Sequence, residues 1–442
     1  MLRDARIDLV LSRIEKDPNV INEVIKYLQS DIRSIRFNAI LVLGELKQIS
    51  SSGVSELTEC LNDNDWSVCR EALRSLGKIG DAAENTISEI SKLIKNDELS
   101  IRKEAVSALG KIGIANNESI SGLIIGLNDE NEEVRKEAAI ALGEIGFNAS
   151  EAISSLINCI RDQSWQVRTE AVKSLSKIGK GAQNAIPSLL KALGDKDWRV
   201  RKSVINTLIQ LGTDAIPSLL SYMKHYNPIV RKGVIEALGE MKVLNPDVIK
   251  EIFLALKDDK KGIPGKAADS LRNIGKPAIH FLIEGLGDPN KKRKCLAIWA
   301  IGGMGDDASE AIPYLINALK EKSVSVRIET ARALGNLGDI AKDAIPDLKD
   351  LLKDPKAKVR KEVAVSFGKM GFSAEEAIPE LIEALEDKSP DVRWRASESL
   401  GLIGINTDKL IPSLNNLIHD SCDYVCEAAI LAIEKIEGTE RS

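Results

Sequence analysis

Apolar residues in this chain recur at helical spacing, in blocks that return about every 33 residues. Around Arg135, the row Val134, Ala138, Ala139, Leu142 and Ile145 occupies one side of a helix, as expected of a core-facing face. Written as a motif, the block is Asp-x5-Arg-x2-Ala-x3-Leu-Gly-x-Ile-Gly, complete at Asp129, Arg135, Ala138, Leu142, Gly143, Ile145 and Gly146. It returns at Asp162, Arg168, Ala171 and Leu175, and again at Asp387, Arg393, Ala396, Leu400 and Gly401. Anchored on the arginine position there are thirteen units, at Arg36, Cys69, Arg102, Arg135, Arg168, Arg201, Arg231, Pro264, Lys294, Arg327, Arg360, Arg393 and Cys426. The step is 33 residues except from Arg201 to Arg231 and from Pro264 to Lys294, where it is 30. Such a period marks a stacked repeat, in which no unit buries its apolar face alone.

Each unit reads as two helices. In the unit around Arg201, Ala185-Ile186-Pro187 opens a first helix carrying Leu189, Leu190 and Leu193. Proline suits the first helical turn, where its missing N–H costs nothing. Pro217, Pro313, Pro346, Pro379 and Pro412 hold the same place in their units. Asp195 to Trp198 is expected to turn, and Val200 to open a second helix that ends at Gly212 in a left-handed conformation. The earlier motif glycine, such as Gly143, falls inside the helix, where it costs up to about 1 kcal/mol against alanine. Its recurrence implies the close approach of a neighbouring backbone.

The motif Asp…Val-Arg-x-x-Ala…Leu-Gly-x-Ile-Gly…Ala-Ile-Pro, over roughly residues 19–437, resembles the HEAT repeat, specifically the short subfamily named after phycobilisome lyases. The resemblance implies an all-α fold: a right-handed α-solenoid of about thirteen two-helix HEAT repeats, with first helices convex and second helices concave. It also implies a ladder of hydrogen bonds between adjacent units from the Asp and Arg six residues apart, which gives the motif arginines a structural role. The chain reads as one continuous solenoid over 1–442. His225 in the aspartate place, Pro264 in the arginine place and the two short steps make units seven to nine irregular. The stretch 242–275 lacks the Ala-Ile-Pro opening and is expected to change the superhelical curvature or to act as a hinge.

Composition narrows the function. Hydrophobic residues are 43% of the chain but aromatics only 4%, so the core is built from Leu, Ile, Val and Ala. A formal charge of -5 argues against wholesale nucleic-acid binding while allowing local basic patches. No apolar run reaches membrane-spanning length, and the start Met-Leu-Arg-Asp-Ala-Arg lacks a signal peptide's apolar segment. Six scattered cysteines without a Cys-x-x-Cys pair suit a reduced, cytoplasmic protein with no membrane partner.

No catalytic or metal-binding set can be assembled. His225, His280 and His419 stand in different units, without a His-x3-His or His-Glu dyad. The paired His-Glu motifs of the iron-dependent deoxyhypusine hydroxylases, another HEAT family, do not occur. Cys422 and Cys426 lie four apart but lack further ligands, and the cysteines read as small semi-buried residues. No cofactor is expected. Gly302-Gly303-Met304-Gly305 is the repeat's own glycines with one extra, not a phosphate loop.

A ligand would sit on the variable second-helix positions, one, five and nine residues after the arginine place. In units two to six these read Arg70, Arg74, Lys78; Lys103, Ser107, Lys111; Lys136, Ile140, Glu144; Thr169, Lys173, Lys177; Lys202, Asn206, Gln210, with nine basic and one acidic. Stacked, they would form a stripe for an acidic peptide or a phosphate backbone, its bland counterpart being a face neutralised by Glu71, Glu104, Glu137 and Glu170. In units nine to twelve the face carries Trp299, Ile328, Arg332, Val365, Trp394 and Leu402, a candidate protein-binding patch unless superhelical twist buries the tryptophans. Trp66, Trp165 and Trp198, three before the arginine place, are expected in the turn, packed as part of the repeat. The leading function is a non-enzymatic scaffold holding a protein or peptide in the concave groove. The alternatives are a phycobilin-lyase-like chromophore-handling enzyme and a nucleic-acid or ribonucleoprotein binder.

Overall fold

Helical periodicity becomes helix throughout the computed structural model, which describes residues 7–46, 50–405 and 407–439 and holds no strand among them. In the repeat around Arg168 the second helix, Trp165–Ile178, buries Val167, Ala171, Val172 and Leu175 completely. Gly179, at φ 74°, closes it in a conformation open to glycine at no steric cost. A seven-residue 3-10 segment, Gly179–Ala185, follows, and only then the first helix of the next repeat, Ile186–Ala192, with Pro187 in its opening turn. The 3-10 segment is absent from the sequence reading. It takes the polar stretch that periodicity leaves unassigned.

The described residues fall into two compact units, 1–222 and 223–442. In the first, six second helices pack in chain order: Arg33–Gly44, Trp66–Ile79, Leu99–Ile112, Glu132–Ile145, Trp165–Ile178 and Trp198–Leu211. In the second, seven do so: Pro228–Glu240, Ile263–Ile274, Lys291–Ile301, Val324–Leu337, Ala357–Met370, Pro390–Ile403 and Asp423–Thr439. Each unit is thus a stack of helix pairs, as in an α-solenoid.

Two ladders tie the pairs together. In the first, eight of the motif arginines reach forward to the aspartate of the next repeat. Arg168 donates from Nε and Nη2 to the Asp195 carboxylate at 2.7 and 2.8 Å, while Nη1 reaches the Asp162 carbonyl at 2.9 Å. Arg36–Asp63, Arg102–Asp129, Arg135–Asp162, Arg231–Asp258, Arg327–Asp354, Arg360–Asp387 and Arg393–Asp420 repeat the fork. The partner of each of these eight arginines is therefore the aspartate 27 residues on, and the residue six before the arginine offers its carbonyl. This reassigns the irregular rungs. Pro264 leaves Asp258 paired with Arg231, and the carboxylate it deprives is Asp288, which takes Arg293 at 3.1 Å instead. The His225 ring Nδ1 accepts the Asn227 amide at 3.1 Å, as Asp195 Oδ1 accepts that of Asp197.

The second ladder lies inside the stack. A Cβ on Gly143 would stand 2.6 Å from Ser174 Oγ and 3.1 Å from its Cα, so the helices touch here through backbone. The small residue opposite each such glycine often donates its hydroxyl back across the gap: Ser270 to the Ile235 carbonyl at 3.0 Å, Ser366 to Ala331 at 2.7 Å, Ser399 to Ala364 at 2.7 Å. The helix-interior glycine thus trades about 1 kcal/mol of propensity for a close, hydrogen-bonded contact.

Both short steps are deletions in the 3-10 link. It shrinks to four residues at Gly212–Ala215, and after Ile274 to Gly275 followed by Lys276–Ala278. Within 242–275, an open turn around Lys242, at φ 48°, replaces the link before the first helix Pro246–Leu254. Gly262, at φ 87°, starts the second helix Ile263–Ile274.

Candidate binding face of the second helices

Rows that point away from the stack expose the variable positions, and the two units do so with different chemistry. In the first unit the basic residues of the stripe lie together on successive second helices, but most are paired. Arg74 lies 3.4 Å from both Glu71 and Glu104. Glu133 takes Lys103 at 3.1 Å and Lys136 at 2.8 Å, and Glu170 takes Lys173 at 2.8 Å. Lys78 pairs with Glu45. Arg70, Lys111 and Lys177 have no ion pair among the described residues; the Arg70 guanidinium lies 5.0 Å from the Trp66 ring. Lys202 is exposed beside Ser203 and Asn206.

Trp66, Trp165 and Trp198 correct the sequence reading: each is the first residue of a second helix rather than part of the turn. Trp66 is 47% and Trp198 64% exposed, and Trp165 is half-buried under the Arg199 guanidinium at 3.4 Å. Glu132, Lys291 and Asp423 hold the same place in other repeats. That polar substitution pattern was the available signal that no core row receives this side chain. Trp165 and Trp198 border a groove of about 610 Å³ between helices Trp165–Ile178 and Trp198–Leu211. On its walls the Thr169 and Ser203 hydroxyls are buried without a hydrogen-bond partner.

In the second unit, Trp299, Ile328, Arg332, Val365 and Trp394 are half-buried and Leu402 is 50% exposed. Arg272 lies 4.6 Å from the Trp299 ring. Arg332 bridges Glu329 at 2.8 Å and Glu362 at 2.9 Å, joining two repeats. Trp394 is packed by Arg395 at 3.6 Å and meets Tyr424 edge-on at 5.5 Å. With Tyr424 and Leu431 it lines a cleft of about 190 Å³. Tyr424, 40% exposed, and Leu431, 56% exposed, escaped the sequence reading, which stopped at unit twelve.

Elsewhere the side chains are quiet. Burial pushes the thiols of Cys60, Cys69 and Cys159 up to about 12, 11 and 11, which makes them poor nucleophiles. Among the described residues no group of three or more His, Cys, Asp or Glu could hold a metal ion. None of their helices is long and apolar enough to cross a membrane.

A family model for HEAT repeats matches residues 54–124, 120–208, 216–294, 279–368 and 345–434. No curated protein matches. Among solved structures, Kap121p bound to Pho4p is similar over 95% of this chain and 53% of its own, at 15% identity and a TM-score of 0.59. Kap121p bound to Nup53p gives 100% and 54% coverage, 12% identity and a TM-score of 0.56. Its complex with RanGTP gives 97% and 54%, 16% and 0.55. The chain spans about half the length of these structures, and at such identities the likeness is one of fold.

Proposed function

Because the chain belongs to the HEAT-repeat family, we propose that it is a non-enzymatic scaffold that holds a protein or peptide partner along the face of its second helices. One observation carries the reading. Four tryptophans on that face each have an arginine packed on the ring: Trp66 with Arg70, Trp165 with Arg199, Trp299 with Arg272 and Trp394 with Arg395. Tryptophan and arginine dominate the energetics of protein interfaces, and here a guanidinium pre-orders each ring before any partner arrives. Kap121p, which shares the fold, has been solved with Pho4p, Nup53p and RanGTP bound, in keeping with this use of the architecture. The ion pairs that occupy Arg74, Lys103, Lys136 and Lys173 weigh against an extended nucleic-acid track.

The finer placement among phycobilisome-lyase-like HEAT proteins, with its chromophore chemistry, is a separate proposal resting on the motif alone. We place the protein in the cytoplasm, in line with its free cysteines. The test is directed photocrosslinking in native lysate. A crosslinker at Leu402 or Lys177, on the second-helix face, is expected to capture a defined protein, and one at Phe147, on a 3-10 link, is not. The purified partner is then expected to lose affinity for Trp299→Ala and Trp394→Ala while both variants keep their helical circular dichroism. Capture from Phe147 alone, or affinity untouched by both substitutions, defeats the scaffold reading.

A further inference from the structure

We propose that the groove between helices Trp165–Ile178 and Trp198–Leu211 takes a proline-rich segment of a partner protein in the polyproline II conformation, its rings against the two tryptophans and its carbonyls on the groove's hydroxyls. The proposal rests on the scaffold reading above and names the partner chemistry at one place on that face.

The walls of the groove point to a ligand by what they leave unused. The hydroxyls of Thr169 and Ser203 belong to residues only 7% and 8% exposed, and neither makes a hydrogen bond within the protein. A buried hydroxyl without a partner is costly, and acceptors entering the groove would relieve both. Around them the balance runs toward donors. Asn206 and Gln210 add exposed carboxamides and Lys177 an ammonium, while the one carboxylate of the lining, Glu170, is held by Lys173 at 2.8 Å. Lys202 lines the same groove but has a partner already and supplies nothing here. An ordinary peptide brings one N–H with each carbonyl, and no free carboxylate waits here to accept it. Proline brings the carbonyl without the N–H, and polyproline II leaves every carbonyl free of internal hydrogen bonds.

Shape selects the same ligand. Trp165 and Trp198 open adjacent second helices, one repeat apart, and such helices pack about 8–10 Å apart. One turn of polyproline II is three residues of about 3.1 Å each, close to that span, so side chains three apart along the ligand meet successive repeats. The two walls are flat. Trp198 is 64% exposed, and Trp165 carries the Arg199 guanidinium at 3.4 Å. Asp197 holds that guanidinium at 2.7 Å, so the second wall is fixed before a ligand arrives. A proline-rich segment is ordered beforehand as well and loses little entropy in an aromatic-lined groove.

The test uses the full chain and a fluorescein-labelled peptide of repeated Pro-Pro-Leu. Saturable anisotropy is expected, with little change as salt rises. Trp198→Ala is expected to weaken binding by about tenfold or more. Thr169→Val combined with Ser203→Ala separates a ligand site from packing. Loss of the two unpartnered hydroxyls is expected to raise the melting temperature while affinity falls by about fivefold or more. Phe147→Ala, which removes an exposed aromatic on a 3-10 link, is the control and is expected to leave binding unchanged. A peptide with alanine in place of every proline that binds equally well overturns the proposal. So does the lack of saturable binding at millimolar peptide, or an affinity unmoved by the hydroxyl variant. A polyglutamate peptide that binds more tightly and loses affinity in Trp198→Ala also overturns it, in favour of an acidic ligand. If the proline peptide fails while the partner crosslinked through Leu402 still depends on Trp394, only the groove proposal falls. If both fail, the scaffold reading falls with it.

Discussion

Replacing Arg168 with methionine tests the first ladder at its most buried arginine. The Arg168 side chain is 5% exposed and that of Asp195 11%, so solvent cannot take over their interaction. The substitution removes two charge-assisted bonds to Asp195 and strands the Asp162 and Gln163 carbonyls, which Nη1 reaches at 2.9 and 3.1 Å. Asp195 keeps only the Asp197 amide at 2.8 Å. Removing one member of a buried pair costs about 3–5 kcal/mol, because the other charge stays behind without compensation. The double variant Arg168→Met, Asp195→Asn removes that stranded charge while Asn can still accept the amide. Its cost is expected to fall short of the sum of the singles by about 1–3 kcal/mol. Asp162→Asn is expected to couple to Arg168→Met clearly less than Asp195→Asn does, since the Asp162 carboxylate is bonded to Arg135 and meets Arg168 only through space. Urea denaturation gives the energies. Hydrogen exchange in helices Trp165–Ile178 and Trp198–Leu211 locates the loss in an array that need not unfold in one step. Coupling to Asp162 in place of Asp195, or a cost below about 1 kcal/mol for Arg168→Met, refutes the forward-reaching ladder.

Three further outcomes are expected. A Cβ on Gly335 would lie 2.6 Å from the Ser366 Cα, whereas one on Gly265 meets nothing within 4 Å; Gly335→Ala should therefore lower the melting temperature through an overpacking cost of about 1–3 kcal/mol and Gly265→Ala should raise it. In acid, two groups act with opposite sign. Burial pushes Glu71 and Glu329 above their ordinary 4.5, so their protonation on a falling pH first favours the fold. For Asp63, Asp162, Asp258 and Asp387 burial is outweighed by the paired arginine and a backbone amide, and for Asp420 the Arg393 bond dominates. All five are held below the ordinary 3.8, so their stabilisation is complete above that value and lost beneath it. The urea midpoint should rise slightly and then drop below about pH 4, and a flat profile through that range contradicts the ladder's charge state. Finally, Cys60, Cys69 and Cys159 should resist a thiol reagent at neutral pH until the chain unfolds, because burial raises all three thiols; prompt labelling in the folded state would show that the cysteines are not core residues.

The period made the helix pairs, the core rows and the glycine approach legible, because each follows from one repeat read against itself. What was hidden depends on the stagger between repeats. Neighbouring second helices are offset so that a side chain meets one three positions earlier in the next repeat. Lys103 finds Glu133, Arg74 finds Glu104, Arg332 finds Glu362 and Lys361 finds Asp391, each 30 residues on in an array of period 33. Counting charges at equivalent positions aligned the lysines into a stripe and offered Glu71, Glu104 and Glu170 as its counter-row, but it did not show that Glu104 reaches back to Arg74 or that Glu133 takes both Lys103 and Lys136. A step back of six positions, to the turn before the next second helix, carries Arg168 to Asp195, 27 residues on, in place of Asp162.

Residues at the start of the second helix escaped for a related reason. Trp66 and Trp198 precede the first core row, so helical periodicity assigns them no face, and a large apolar side chain there was taken for packing. Their exposure changes what the face can do. A lysine row alone is a solvated surface, whereas lysines beside a ring, a stacked guanidinium and unpartnered hydroxyls can discriminate among ligands by shape as well as charge. Ion pairs silence most of the first unit's stripe, and the groove of Trp165 and Trp198 stands apart from it by its rings, its stacked guanidinium and its two hydroxyls. In such an array the ladders can be common to the repeats because they hold the stack, while specificity rests on the positions where the repeat departs from its own pattern.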